Sequence, residues 1–511
     1  MRRLILATLS TTVCCGAASV AAHSITLPST LCVGKKPGCY STIQAAVDAA
    51  QDGDTIKVAP GTYSGGITIG KSVRLVGTGA AATIISGGGP VVTIGVTSGT
   101  TEPTVSISSV TITGGITNVN SNNGDRLFAA TGGGVDVLPL HVGKDFLTGA
   151  TVAIADSVIT GNRAEPVETK DTCDPGSCFA YAEGGGISNF GRLTLTNTQV
   201  THNVAGAPAK GPSVTSQAHG GGIYNHVQGT LTIRHSSVSD NRAAVEVPNG
   251  QYANGGGIFD AGQLILDNSA VDGNSVVVES AVLSSFPSDV EQDAQAGGIW
   301  VAEFPGSAAT ITASSVSRNS VSSTNTSGDV QATAGGIDDD GTLLLVDSTV
   351  DHNRVSGSVP PASGFLVGAI NGGLEVDDGS AAAIRNSSIS GNILAADSAT
   401  GTTNAAGAGI GNLSSQVTAD RTRVVGNRAT ANGTDGLVIG GGVLNVAFFG
   451  GPPQLTMTNS VVAANRLTAS PTITPQGGGI YTTDIFGGGN FPITLTGTVV
   501  AGNHPDQCFG C

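Results

Sequence analysis

Short apolar stretches alternate with polar ones along most of the chain. Leu193-Thr-Leu195, Leu231-Thr-Ile233, Leu264-Ile-Leu266 and Leu343-Leu-Leu345 are each flanked by turn-forming residues. Large aliphatics two residues apart fall on one face of a strand, not of a helix. Each stretch sits inside a longer unit: G-G-I-x-N, then x-L-T-L-x, then S-x-V-x-x-N, then a polar loop of variable length. Ten asparagines close successive units: Asn162, Asn203, Asn241, Asn274, Asn319, Asn353, Asn392, Asn427, Asn465 and Asn503. Self-similarity at a near-constant period marks a solenoid or a propeller. The two-residue alternation rules out helical repeats. Propeller blades would need four strands and hairpin turns at fixed places, and these are missing.

The pattern therefore predicts an all-β, single-domain right-handed parallel β-helix with about three short strands per coil. Coils would lie about 4.8 Å apart, so equivalent side chains stack. Ile187, Ile223, Ile258, Ile299 and Ile337 are expected in one inward column, and Val158, Val200, Val238, Val271, Val316 and Val350 in another. The repeated asparagine is expected to pass hydrogen bonds between coils as an amide ladder. The glycines before each Ile suit a corner that needs positive φ or a close backbone approach. A coil cannot bury its own face, so it needs near-copies above and below.

An exposed end of such a stack invites edge pairing. Residues 41–51 read as a capping helix, with Ile43, Ala46, Val47 and Ala50 on one face and Ser41 or Thr42 as N-cap. The expected organisation is a secretory signal over 1–22, an N-terminal cap over 23–54, the β-helix over 55–507 and a Cys-x-x-Cys tail over 508–511. Arg2 and Arg3, an apolar run and Ala-Ala before His23 carry the signal reading. It implies a secreted, extracellular protein. Cys32 with Cys39, Cys173 with Cys178 and Cys508 with Cys511 form three close pairs, suited to disulfides in an oxidising compartment.

Composition sharpens this picture. Gly is 76 of 511 residues, aromatics are 4% and charged residues 12%, which suits thin stacked layers better than a globule. A formal net charge of -15 argues against nucleic acid and anionic membranes as partners. No later run is long and apolar enough for membrane insertion as a helix.

The stretch STIQAAVDAAQDGDTIKVAPGTYSGGITIGKSVRLVGTG, residues 41–79, resembles the entry module of the pectin-lyase-like β-helix superfamily. It is similar to the start of pectinesterases and of secreted bacterial β-helix repeat proteins. Cys39-Tyr-Ser-Thr-Ile-Gln-Ala-Ala also resembles the cysteine-led entry motif of bacterial surface β-helix proteins. The resemblance implies the fold and does not by itself imply an activity. The pectinesterase stretches Q-D-T-L, G-x-V-D-F-I-F-G and L-G-R-P-W are absent. Thr483-Asp484, Asp338-Asp339-Asp340 and Ala218-His219-Gly220 echo polygalacturonase motifs in the wrong order. No catalytic residue carries over.

One position distinguishes the coils. The residue after the inward aliphatic must point outward. It reads Asp136, Ser188, Tyr224, Phe259, Trp300, Asp338, Glu375, Gly411, Leu444 and Tyr481. Tyr224, Phe259 and Trp300 would form an aromatic strip able to bind sugar rings. The bland alternative is that loop 275–295 covers them with Val276, Val277, Val278, Val282, Leu283 and Phe286. Asp338 and Glu375 would continue the strip as a carboxylate pair about 5 Å apart, the retaining-glycosidase spacing. Asp340, Asp377 and Asp378, beside Asp339, are candidate Ca²⁺ ligands, with solvated turn acids as the alternative. Two functions follow: a binding or surface-associated scaffold whose partner is a polysaccharide or other glycan, and a polysaccharide-degrading enzyme. For the enzyme, a glycoside hydrolase fits better than a Ca²⁺-dependent lyase, since no Arg or Lys stands near the acids as a base.

Overall fold

The computed structural model describes residues 28–96, 102–118, 127–142, 145–166, 178–206, 214–246, 250–280, 293–325, 328–359, 365–447, 451–483 and 489–511. The expected signal, Cys173 and its pairing with Cys178, Val282, Leu283, Phe286 and Asp484 lie outside them. The described chain is a right-handed parallel β-solenoid. A representative coil runs through strands Arg192–Thr196, Gln199–Thr201, Val204–Gly206, Val214–His219 and Ile223–Asn225. We number the five stacked sheets in that order. They hold 14, 13, 10, 9 and 13 strands among the described residues. The three expected strands are the first, second and fifth. The segment read as a polar loop supplies the third and fourth.

Registry is one residue per coil. Leu193 pairs with Leu231, Val200 with Val238, and Ile223 with Ile258. The Ile187-to-Ile337 column is continuous and fully buried. The valine column differs at its first member. Ile159 pairs with Val200, while Val158 pairs with Gln199 and is half-buried. Ile159, three residues before Asn162, holds the equivalent place.

Two apolar cores result. The first, second and fifth sheets enclose Ile, Leu and Val. The third and fourth enclose mainly Ala and Val, including Ala218, Ala253, Ala294, Val276 and Val321. Between the two cores runs the asparagine ladder. Asn203 Nδ2 donates to Asn241 Oδ1 at 3.0 Å and to the Ile159 carbonyl at 3.0 Å, and Asn203 N donates to the same Asn241 Oδ1. The pattern repeats down to Asn503, where Gln507 Oε1 accepts in place of an eleventh asparagine. The serine of S-x-V forms a second ladder. Ser236 N donates to Ser269 Oγ, and Ser269 N to Ser314 Oγ, both at 3.1 Å. The glycine runs serve the first ladder. Gly220 has φ +62°, and a β-carbon built at Gly222 would stand 2.9 Å from Asn241 Nδ2.

The ends are closed. Helix Ile43–Ala49 is capped by Thr42 Oγ1 accepting from Ala45 N, and it buries Ile43, Ala46 and Val47. Lys71 Nζ donates to the Asp48 and Ala50 carbonyls at its C-terminal end. The first sheet already starts at Thr30–Val33, within the segment read as cap. At the other end Cys508–Phe509 pairs with Ile480–Tyr481, so the residues read as a tail form the last rung of the fifth sheet. Cys32–Cys39 and Cys508–Cys511 are disulfides.

Candidate functional site

The distinguishing column lies on the outer face of the fifth sheet, in unbroken register. Asp136 pairs with Ser188, then Tyr224, Phe259, Trp300, Asp338 and Glu375 follow one per coil. The column is not an open surface. Phe259, Asp338 and Glu375 are only 4%, 3% and 5% exposed, while Tyr224 and Trp300 are half-buried.

Among the described residues the covering wall is the fourth sheet. Its column Glu183, His219, Asn254, Gln295, Thr333 faces the fifth sheet across a re-entrant cleft. The His219 ring meets Phe259 at 5.0 Å and Tyr224 at 6.2 Å, both edge-on. Ser275–Ser280 and Asp293–Gln295 are themselves strands, and Val276 and Val278 point into the second core. Nor is the aromatic strip flat. Tyr224 and Phe259 stack at 4.5 Å and 12°, but Trp300 stands perpendicular to Phe259 at 4.6 Å.

Period-two geometry divides the Asp338-Asp339-Asp340 run. Asp339 points into the coil beneath Val301 and is fully buried, and Gly341 N donates to its Oδ1. Burial pushes its carboxyl up to about 8. Asp338 and Asp340 face the cleft. Trp300 Nε1 donates to Asp340 Oδ2 at 2.6 Å. Burial raises Asp340 to about 7, and Asp377, under the same influence, to about 6. Asp338 and Glu375 are raised well above the ordinary carboxylate range, first by burial and then by neighbouring carboxylates.

The trio chosen as metal ligands does not converge. Asp340 and Asp377 line the cleft, but Asp378 is an exposed turn residue with φ +55°, donating its N–H to Asp377 Oδ1. Among the described residues no group of three His, Cys, Asp or Glu side chains is placed to hold a metal ion.

Sequence reasoning missed the fourth-sheet wall. Its signal is the residue just after an alanine and one or two positions before the glycine run: Ala182-Glu183, Ala218-His219, Ala253-Asn254, Ala294-Gln295 and Ala332-Thr333. The alanine packs into the second core, so the next side chain must face the cleft. A further polar group lies at the N-terminal end of the cleft. Thr131 Oγ1 donates to Asp136 Oδ2, and Ser188 Oγ is 3.1 Å from His226 Nε2. Burial raises Asp136 to about 6 and Glu183 to about 7.

No protein-family model and no curated protein matches the chain. Among solved structures it is similar to a mutant of the PL6 family alginate lyase AlyGC, at 11% identity. That match spans 92% of this chain and 100% of the other, with a TM-score of 0.17. Similarity this low carries no argument. What the chain's own residues establish is a parallel β-helix bearing an aromatic and acidic column on its fifth sheet, beside the fourth-sheet column of His219.

Proposed function

We propose that the protein is a secreted glycan-binding β-helix, with the glycan lying in the cleft between the fourth and fifth sheets. The observation that carries this reading is the register that sets Tyr224, Phe259 and Trp300 in line with Asp338 and Glu375 in a walled groove. Tyr224 and Trp300 offer half-buried ring faces to sugar C–H groups, and the carboxyl groups can hydrogen-bond sugar hydroxyls. Trp300 is the chain's one tryptophan, so its fluorescence reports this groove alone. A saturable emission change is expected on titration with a binding oligosaccharide, and an excess of the unlabelled sugar should displace a labelled form of it. No binding across a broad panel of plant and microbial glycans would overturn the reading. Secretion is checked separately: the mature chain should begin at His23.

A second reading, a glycoside hydrolase, is favoured by one feature. Asp338 and Glu375 sit on adjacent rungs, about 4.8 Å apart along the backbone, near the 5–5.5 Å of retaining enzymes. One would act as acid/base and the other as nucleophile. Release of new reducing ends, lost in both Asp338→Asn and Glu375→Gln, is the expected result. Binding without release would leave the scaffold reading alone.

A further inference from the structure

The fourth-sheet wall carries buried polar atoms that the protein leaves unused. His219 Nδ1, Asn254 Oδ1 and Thr333 Oγ1 have no hydrogen-bond partner among the described residues, although these residues are only 8%, 3% and 3% exposed. Glu375 Oε2, on the facing column, is in the same condition. Each such group destabilises the fold, and native proteins retain few of them. Their placement is orderly. His219, Asn254 and Thr333 belong to one column, and His219 contacts the aromatic rings across the cleft. Asn254 and Thr333 are two rungs apart, about 10 Å along the solenoid axis.

The charge of the cleft is equally one-sided. Glu183, Asp338, Asp340, Glu375 and Asp377 face it, and neither facing column holds a Lys or Arg among the described residues. A uronate or sulfated polymer would lay its anions beside buried carboxyls with no cation to offset them. Such an arrangement selects against the charged ligand. A hydroxyl-rich ligand meets no such penalty. Burial also lowers His219 to about 4, so that it meets a neutral ligand as a neutral ring.

We propose that His219, Asn254 and Thr333 form a hydrogen-bonding wall for a glycan that carries no carboxylate or sulfate, running parallel to the solenoid axis. This rests on the glycan-binding reading above and names its ligand class and its second set of contacts. A purely structural role makes the opposite forecast for Thr333→Val. Removing an unpartnered buried hydroxyl should leave stability unchanged or raised, whereas losing a ligand contact should weaken binding.

Calorimetric titration of the full chain with cellohexaose, mannohexaose, laminarihexaose and a chitosan hexamer tests this. Oligogalacturonate and alginate oligomers, with and without Ca²⁺, serve as the anionic arm. The expected result is binding confined to the first set. Thr333→Val and Asn254→Ala should each weaken it about tenfold at unchanged or higher melting temperature, one hydrogen bond being worth roughly that factor. Thr333→Ser, which keeps the hydroxyl, should bind as the parent does. Parent-like affinity in Thr333→Val and Asn254→Ala, or tighter binding of the anionic oligomers, overturns the inference while glycan binding itself stands. Absence of binding in both arms overturns the two together.

Discussion

The asparagine column from Asn162 to Asn503 and the outer column of the fifth sheet from Tyr224 to Glu375 share one geometry. Both place one side chain per coil in strict register, and both bury polar atoms. Their hydrogen bonding differs. Each interior asparagine donates to the next and to a backbone carbonyl, while its oxygen accepts from the preceding asparagine's N–H and side-chain amide. In the cleft, buried carboxyls instead crowd one another, and Glu375 Oε2 has no partner. The ladder is what stacking a polar residue looks like when only the fold is served. The cleft departs from that solution over a few coils, as binding and catalytic sites do.

The contrast should be broken most severely from the ladder side. Asn319→Ala strips the acceptor from Asn274 N and Nδ2 and the side-chain donor from Asn353 Oδ1 and the Val271 carbonyl, leaving Asn353 Oδ1 only the backbone N–H of residue 319. A loss of about 3 kcal/mol or more is expected in denaturant unfolding, since several buried groups are orphaned together. Gly298→Ala comes next. Its β-carbon would stand 2.5 Å from the Gly336 carbonyl oxygen and 2.9 Å from Asn319 Nδ2. About 1–3 kcal/mol should be lost, the usual range for overpacking.

From the cleft side the sign reverses. Asp338→Asn with Glu375→Gln removes two mutually repelling acids and should raise stability at pH 8 by about 1 kcal/mol or more, one pKa unit being worth about 1.4 kcal/mol. The same change should abolish any hydrolytic activity. The smallest effect belongs to Asp340→Asn. It keeps an acceptor for Trp300 Nε1 and should hardly change stability, but it should remove a fluorescence transition near pH 7 that the parent shows as Asp340 titrates.

Much of the solenoid could be read from residues with one environment in every coil. Ile223, Val238 and Asn241 each meet near-copies of themselves, so their spacing alone reveals the stack. The third and fourth sheets were hidden because their inward residues are small. In Gln217-Ala218-His219 and Tyr252-Ala253-Asn254 the core-facing residue is the alanine, which gives too weak an apolar signal beside polar neighbours. That gap also hid the cleft's second wall and made an exposed strip of what is a half-enclosed groove. The tilt of Trp300 depends on its bond to Asp340 in the next coil, a contact between residues forty positions apart that no periodicity encodes.

The most direct test of the difference between the two columns is the pH dependence of unfolding. Asp338 and Glu375 are raised in the folded state, so it binds more protons than the unfolded chain above about pH 4. Stability then falls as pH rises. Asp136 and Asp377 near 6, Asp340, Asp260 and Glu183 near 7, and Asp339 near 8 extend the fall across about pH 4 to 8. Asp54, lowered by backbone hydrogen bonds, and His219 and His226, lowered by burial, act in the opposite direction. Urea unfolding at pH 5 and pH 8, in the parent and in the Asp338→Asn, Glu375→Gln double variant, measures the slope. The expected result is a parent that is more stable at pH 5 and a double variant that loses less on going to pH 8. A parent more stable at pH 8, or an unchanged slope in the variant, would mean that the cleft carboxyls are ordinary solvated acids.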